Sequence, residues 1–240
     1  MAKKKIEMEE RQQNVAEAVS KTEEFFKKNS KIIYTCVIAA LVIAIGILAY
    51  TRFYLQPKRA EAQRELYHAE QWFAEGDYAL ALEGDGNYLG LRDVISEYGS
   101  KAGSAVYMYA GVAELQLGNF EDAISYLKKY KGSDTILKGR ALACIGDAYV
   151  GLEDYATALG WFEKAAKASD NMYAANYLLK AGITAEELGD KAKALSIYKQ
   201  IKEKYSNSPE GVDIDKYITR IETAEYLLWE EHLNSARNAR

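Results

Sequence analysis

Proline is nearly missing from this chain: two in 240 residues. Turn-rich all-β architectures need more, and the abundance of Ala, Leu, Glu and Lys favours helix. Cysteine is as scarce, with Cys36 and Cys144 alone. Two cysteines, one of them inside an apolar run, make no disulfide framework. The two histidines, His68 and His232, are remote from the cysteines and from each other, so a four-ligand zinc site has no candidate set. Positive charge is also short. The chain carries a net −4, of which the first 31 residues contribute +2 through eight Lys/Arg against six Asp/Glu, leaving −6 for the rest. An acidic main domain is a poor match for a nucleic-acid backbone, so no nucleic-acid partner is expected.

Apolar residues make up 49% of the chain, enough to build a core. Nineteen uncharged residues, IIYTCVIAALVIAIGILAY, occupy positions 32–50. At helical rise they extend about 28 Å, close to the hydrocarbon thickness of a bilayer. Tyr34, Tyr50, Phe53 and Tyr54 flank the run as interfacial aromatics. Lys27, Lys28 and Lys31 bound one side; Arg52, Lys58 and Arg59 bound the other. The pattern predicts a retained transmembrane helix over residues 32–51, in contact with the lipid bilayer. The preceding charged segment is long and the apolar run exceeds a signal-peptide core, which argues against cleavage. Cys36 stands at the start of the run, not at a lipoprotein position. Lysines in MAKKK and FFKKNSK tip the amino terminus toward the cytoplasm, with the carboxy-terminal domain on the opposite, periplasmic side of a bacterial inner membrane. Residues 1–31 then form a cytoplasmic charged tail. Its helical stretch, 6–28, places Val15, Val19 and Phe26 roughly on one face; it reads as a solvated helical tail, with a juxtamembrane helix or a weak oligomer contact as the alternatives. Residues 52–64 read as a juxtamembrane start of the next helix.

Beyond residue 60 the main signal is self-similarity. Three segments align: YMYAGVAELQLGNFEDAISYL at 107–127, LACIGDAYVGLEDYATALGWF at 142–162, and LLKAGITAEELGDKAKALSIY at 178–198. Each has Gly in a first helix (Gly111, Gly146, Gly182), a short turn (LGNF, LEDY, LGDK), and an Ala in a second helix (Ala123, Ala158, Ala194). Small residues let two antiparallel helices approach at their crossing, with Phe120 and Tyr155 just past the turn. Leu127, Phe162 and Tyr198 are expected to fill the next layer. A fourth unit precedes these, marked by Trp72, EGDY at 75–78 and Ala81. Its second helix regains register only at Leu91, whence Leu91, Val94 and Tyr98 match Tyr198, Ile201 and Tyr205. The offset implies six inserted residues at about 83–88. Repeats thus span about 65–103, 104–138, 139–174 and 175–211. In the tail from 212 to 240, Ile214, Ile218, Ile221 and Leu228 share a helix face able to cap the array, and the final SARNAR is expected to fray.

The repeats closely resemble the tetratricopeptide (TPR) motif, with Leu142 standing where a Trp is common. The expectation is an all-α chain: a TPR-type α-solenoid of about four helix pairs plus a capping helix, after a single transmembrane helix. The anchor, the repeats and the segment ALEGDGNYLG at 81–90 together resemble the YfgM-like family of ancillary subunits of the Sec translocon. That resemblance implies a scaffold associated with the translocon, periplasmic chaperones or exported chains.

TPR grooves are lined by first helices. The register nominates Met108, Tyr109, Val112 and Leu115 from the second repeat, Arg140, Asp147 and Val150 from the third, and Tyr177 and Lys180 from the fourth. Met108, Ala143 and Leu179 occupy a position where a carboxylate clamp would need a polar side chain, so apolar or partly unfolded segments suit this groove better. The glycine-rich insert is no nucleotide loop: G-x-G-x-x-x-G is one residue too long, with no strand before it and no Lys-Ser/Thr after it. It also lacks the oxygen ligands of a calcium loop. Asp85, Asn87 and Tyr88 remain as contact candidates. No nucleophile–base pair is visible, so no enzyme activity, cofactor or metal is expected. A self-assembling spacer, or homo-oligomer, is the alternative to an adaptor.

Overall fold

The computed structural model describes the backbone of residues 2–238. Side chains in 2–19, 21–24, 225, 228 and 231–238 lie outside the description, and with them Val15, Val19, Leu228, His232 and the end of the tail. The chain divides into two compact units, Met1–Pro57 and Lys58–Arg240.

The first unit is a long helix, α1 (Ala2–Tyr50), followed by one wide π-helical turn, Thr51–Leu55. Pro57 explains that turn. It has no N–H for the carbonyl four residues back, and its ring crowds that carbonyl. The Gln56 N–H instead donates to the Thr51 carbonyl, five residues earlier. Side chains through the apolar run are almost all exposed. Among the described residues, this is the one helix long and apolar enough to cross a membrane.

The second unit is a TPR-type solenoid. Its first pair is α2 (Gln56–Glu75) with a broken partner, α3 (Tyr78–Glu83) and α4 (Leu91–Tyr98). The second pair is α5 (Ala105–Gln116) and α6 (Phe120–Leu127); the third is α7 (Thr135–Gly151) and α8 (Tyr155–Ala168). The fourth is α9 (Ala174–Glu187) and α10 (Lys191–Lys204), and α11 (Pro209–Asn238) follows. Ile214, Ile218 and Ile221 of α11 are buried against the last pair.

The crossing of each pair corrects one expectation. Leu127, Phe162 and Tyr198 do not sit a layer away from the glycines but directly on them. A Cβ on Gly111 would stand 2.6 Å from Leu127, on Gly146 2.6 Å from Phe162, and on Gly182 2.2 Å from Tyr198. Nothing larger than hydrogen fits there. In the first pair Ala69 stands at the glycine position and Leu91 at the ring position, and both are buried in one core cluster.

Turns inside the pairs share one geometry. Helices α3, α8 and α10 start at Asp77, Asp154 and Asp190, whose carboxylates accept from the backbone N–H of Leu80, Thr157 and Lys193. This satisfies a donor the helix start would otherwise leave open. The residue before each cap is left-handed: φ is 86° at Gly76, 80° at Gly118 and 77° at Gly189. In the third pair a glutamate takes that conformation, with φ 59° at Glu153.

The break in the first pair covers residues 84–90 rather than 83–88. Gly84 and Leu89 bridge in antiparallel fashion. A Cβ on Gly84 would lie 2.3 Å from the Tyr88 carbonyl, and one on Gly90 2.2 Å from the Leu82 carbonyl. The loop is therefore pinched at its neck, and the chain re-enters the helix beside the point where it left.

Candidate peptide-binding groove

The first helices of successive pairs, α5, α7 and α9, stand side by side and open two adjoining cavities. One, of about 230 Å³, lies among Phe73, Met108, Tyr109, Val112, Tyr130, Leu137 and Arg140. The other, of about 380 Å³, extends from Val112 and Leu115 past Arg140, Cys144 and Asp147 to Tyr173, Tyr177 and Lys180. Val112, Leu137 and Arg140 line both. Eight of the nine nominated residues are thus brought together on one surface. Val150 is the exception: it is half-buried and packs with the core of the last two pairs.

The two chambers differ in chemistry. The smaller is walled by aromatic and aliphatic side chains, with the Phe73 and Tyr109 rings 5.1 Å apart and steeply inclined to each other. The larger is more polar and carries charged side chains. Lys180 Nζ donates to both carboxylate oxygens of Asp147 at 2.7 Å, tying α9 to α7 and cancelling both charges. Arg140 is exposed at the junction and forms no ion pair among the described residues. The groove therefore offers an apolar chamber next to one uncompensated guanidinium. Cys144 lies in the wall. Burial first, and the Asp147 carboxylate second, push its thiol up to about 11, so it is protonated and no nucleophile at neutral pH. Burial likewise raises the Tyr177 and Tyr109 phenols. At the carboxylate-clamp position, Met108 and Ala143 are buried and Leu179 packs against the core.

Sequence reasoning missed several wall residues. Phe73 corresponds to Leu115 once the six extra residues are counted, so the repeat register could have found it. Tyr173 corresponds to Leu137 in the same way. Tyr130 sits past a second helix, where the register carries no groove signal.

The loop candidates behave differently. Asp85 Oδ1 accepts from the backbone N–H of Asn87 and Tyr88, at 2.9 and 2.8 Å. These bonds hold the Asp85 carboxyl below its ordinary range. Tyr88 stacks on His68 with ring centres 3.6 Å apart. Asp85 and Tyr88 are thus engaged within the chain, while the Asn87 side chain is exposed.

A polar cluster beside the loop has no counterpart in the motif. Glu114 is wholly buried. It accepts from Arg92 Nε and Nη2 at 3.0 and 2.8 Å, and from Asn119 Nδ2 at 2.9 Å. Arg92 also pairs with Glu83, across the loop's neck. Asn119, at the cap position of α6, makes no side-chain cap bond; its amide N–H donates to Glu114.

No curated protein matches this chain. Two solved structures, titled "Crystal structure of MamA" and "Crystal structure of MamA protein", are similar at 18% identity and TM-score 0.47. They cover 68% and 70% of this chain, and 96% and 94% of their own. A family model described as tetratricopeptide repeat matches residues 177–208, which take in most of α9 and all of α10, the fourth helix pair of the solenoid.

Proposed function

We propose that this chain is a membrane-anchored, non-enzymatic adaptor whose solenoid groove holds polypeptide segments of other proteins. The observation that carries the reading is the groove itself: three first helices bring eight register-selected side chains onto adjoining cavities that nothing in the described chain fills. Its smaller chamber suits an apolar side chain, and its Met, Leu and Tyr walls adapt to varied shapes. The apolar run 32–51 is the anchor, with the amino terminus cytoplasmic and the solenoid periplasmic. The resemblance in ALEGDGNYLG supports the Sec translocon, periplasmic chaperones or exported chains as the clients. Asn87, on the exposed rim of the loop, is a second contact point.

The test is a photoreactive residue at Ile136, on the groove wall, in native membranes. Capture of translocon subunits, chaperones or exported chains is expected. Capture of no polypeptide other than this chain would overturn the client reading. Digestion of the repeats by protease from the cytoplasmic side alone would reverse the topology.

A further inference from the structure

Helix α11 begins as a cap, and beyond Ile221 its described side chains leave the core. Ile214, Ile218 and Ile221 are buried, and no described residue after Ile221 is. Tyr226, Leu227 and Trp229 are 54%, 53% and 58% exposed. Large apolar side chains this open, three in four positions, mark a contact surface rather than scattered exposure. Tyr226, Trp229 and Glu230 share one helix face by their spacing. The structure holds them as a unit: the Tyr226 and Trp229 rings are 6.1 Å apart, and the Tyr226 hydroxyl donates to Glu230 at 2.8 Å. Residues 221–234 include four glutamates and no lysine or arginine.

These features complement the groove in kind. The groove has an aromatic and aliphatic chamber beside an uncompensated Arg140. The α11 face has two aromatic rings beside the Glu230 carboxylate. We propose that the groove of one copy receives the carboxy-terminal half of α11 of a second copy. Tyr226 and Trp229 enter the apolar chamber, and Glu230 faces Arg140. This is helix-in-groove recognition with anchors at i and i+3 and a charge at i+4. The contact is heterologous, each copy giving a helix and taking one, so it closes into a ring or propagates as a chain. A lipid surface is the poorer occupant, because interfacial helices present Lys and Arg to headgroups and this segment has none. The inference rests on reading the groove as a polypeptide site, and it makes α11 a resident occupant that a client must displace.

The test uses the full chain in phosphatidylcholine vesicles, as an equal mixture of light- and heavy-nitrogen protein. A benzoylphenylalanine replaces Ile136. Mixed-isotope cross-links from position 136 to residues 222–234 are expected. Trp229→Glu and Arg140→Glu should each lower their yield about tenfold. Both positions are exposed, so unchanged circular dichroism should accompany the loss. Pairing Arg140→Glu with Glu230→Arg should restore the cross-link. Links only to lipid, only within one chain, only to another segment, or none at all would each overturn the proposal. If position 136 captures clients in native membranes yet yields no self-link in vesicles, the groove reading stands and this inference falls. Self-links without captured clients would uphold the α11 contact and overturn the client reading.

Discussion

The first helix pair and the last two solve the same packing problem by different means. In the third and fourth pairs, the second helix is continuous and a large ring, Phe162 or Tyr198, lies against a glycine. In the first pair, the second helix is cut by a seven-residue loop, and Ala69 and Leu91 replace glycine and ring. What compensates is polar. Arg92 grips Glu83 on the near side of the cut and the buried Glu114 on the next pair. Where backbone continuity is lost, a charged clamp takes over the work of fixing register.

That contrast is most directly broken at the clamp. Arg92→Ala leaves the wholly buried Glu114 without its counter-charge; Arg92 is itself 37% exposed, so the loss should be ~3 kcal/mol, the low end for a broken buried pair. Arg220→Ala removes a comparable contact to Glu186 in the fourth pair, at 2.6 Å, but Arg220 is mostly solvent-exposed. Its loss should stay under about 1 kcal/mol. Urea unfolding of both variants is the measurement. Equal losses would mean the first pair does not depend on its clamp.

The apolar solution is tested at Gly146→Ala. The added methyl meets the Phe162 ring, which is fully buried and has no room to retreat. Overpacking of this kind costs about 2 kcal/mol. Adding Phe162→Leu should recover most of that loss, because the first pair carries Ala and Leu, as Ala69 and Leu91, at the same two register positions. No recovery would mean that the ring is not what excludes the methyl.

Removing residues 84–89 comes next in size. The neck of the loop already brings Glu83 and Gly90 together, so deletion should preserve helix content and cooperative unfolding. The expected loss is the Tyr88–His68 stack, about 1 kcal/mol. Loss of cooperative unfolding would make the loop part of the solenoid's frame.

The repeats were legible in the sequence because packing imposed them. Gly111, Gly146 and Gly182 recur where a Cβ cannot fit, and that constraint is visible without coordinates. The groove was legible for the same reason, since register alone selected eight wall residues. Val150 failed because one face of a first helix is shared between groove and core, and periodicity does not say where the division falls. The Arg92–Glu114–Asn119 cluster was invisible for a different reason. Its members are 22 and 5 residues apart and unrepeated, so no pattern distinguishes them from solvated charges. Tyr130 joins the groove only through how one pair stacks on the next, which is tertiary information.

The smallest predicted effect concerns the turns, where the third pair departs from the other three. A left-handed backbone costs a residue with a Cβ about 1 kcal/mol, and glycine avoids that cost. Gly76, Gly118 and Gly189 use it; Glu153 does not. Its side chain is exposed and forms no ion pair among the described residues, so nothing visible offsets the strain. Glu153→Gly should therefore raise the unfolding free energy by about 0.5 kcal/mol, the strain relieved less the extra freedom glycine gives the unfolded chain. The reverse change, Gly189→Glu, should lower it by a similar amount in the fourth pair. If both substitutions destabilise, Glu153 is held by a contact that the turn geometry does not reveal. If both behave as stated, the four turns are one structural unit, and the third carries its strain for a reason other than stability.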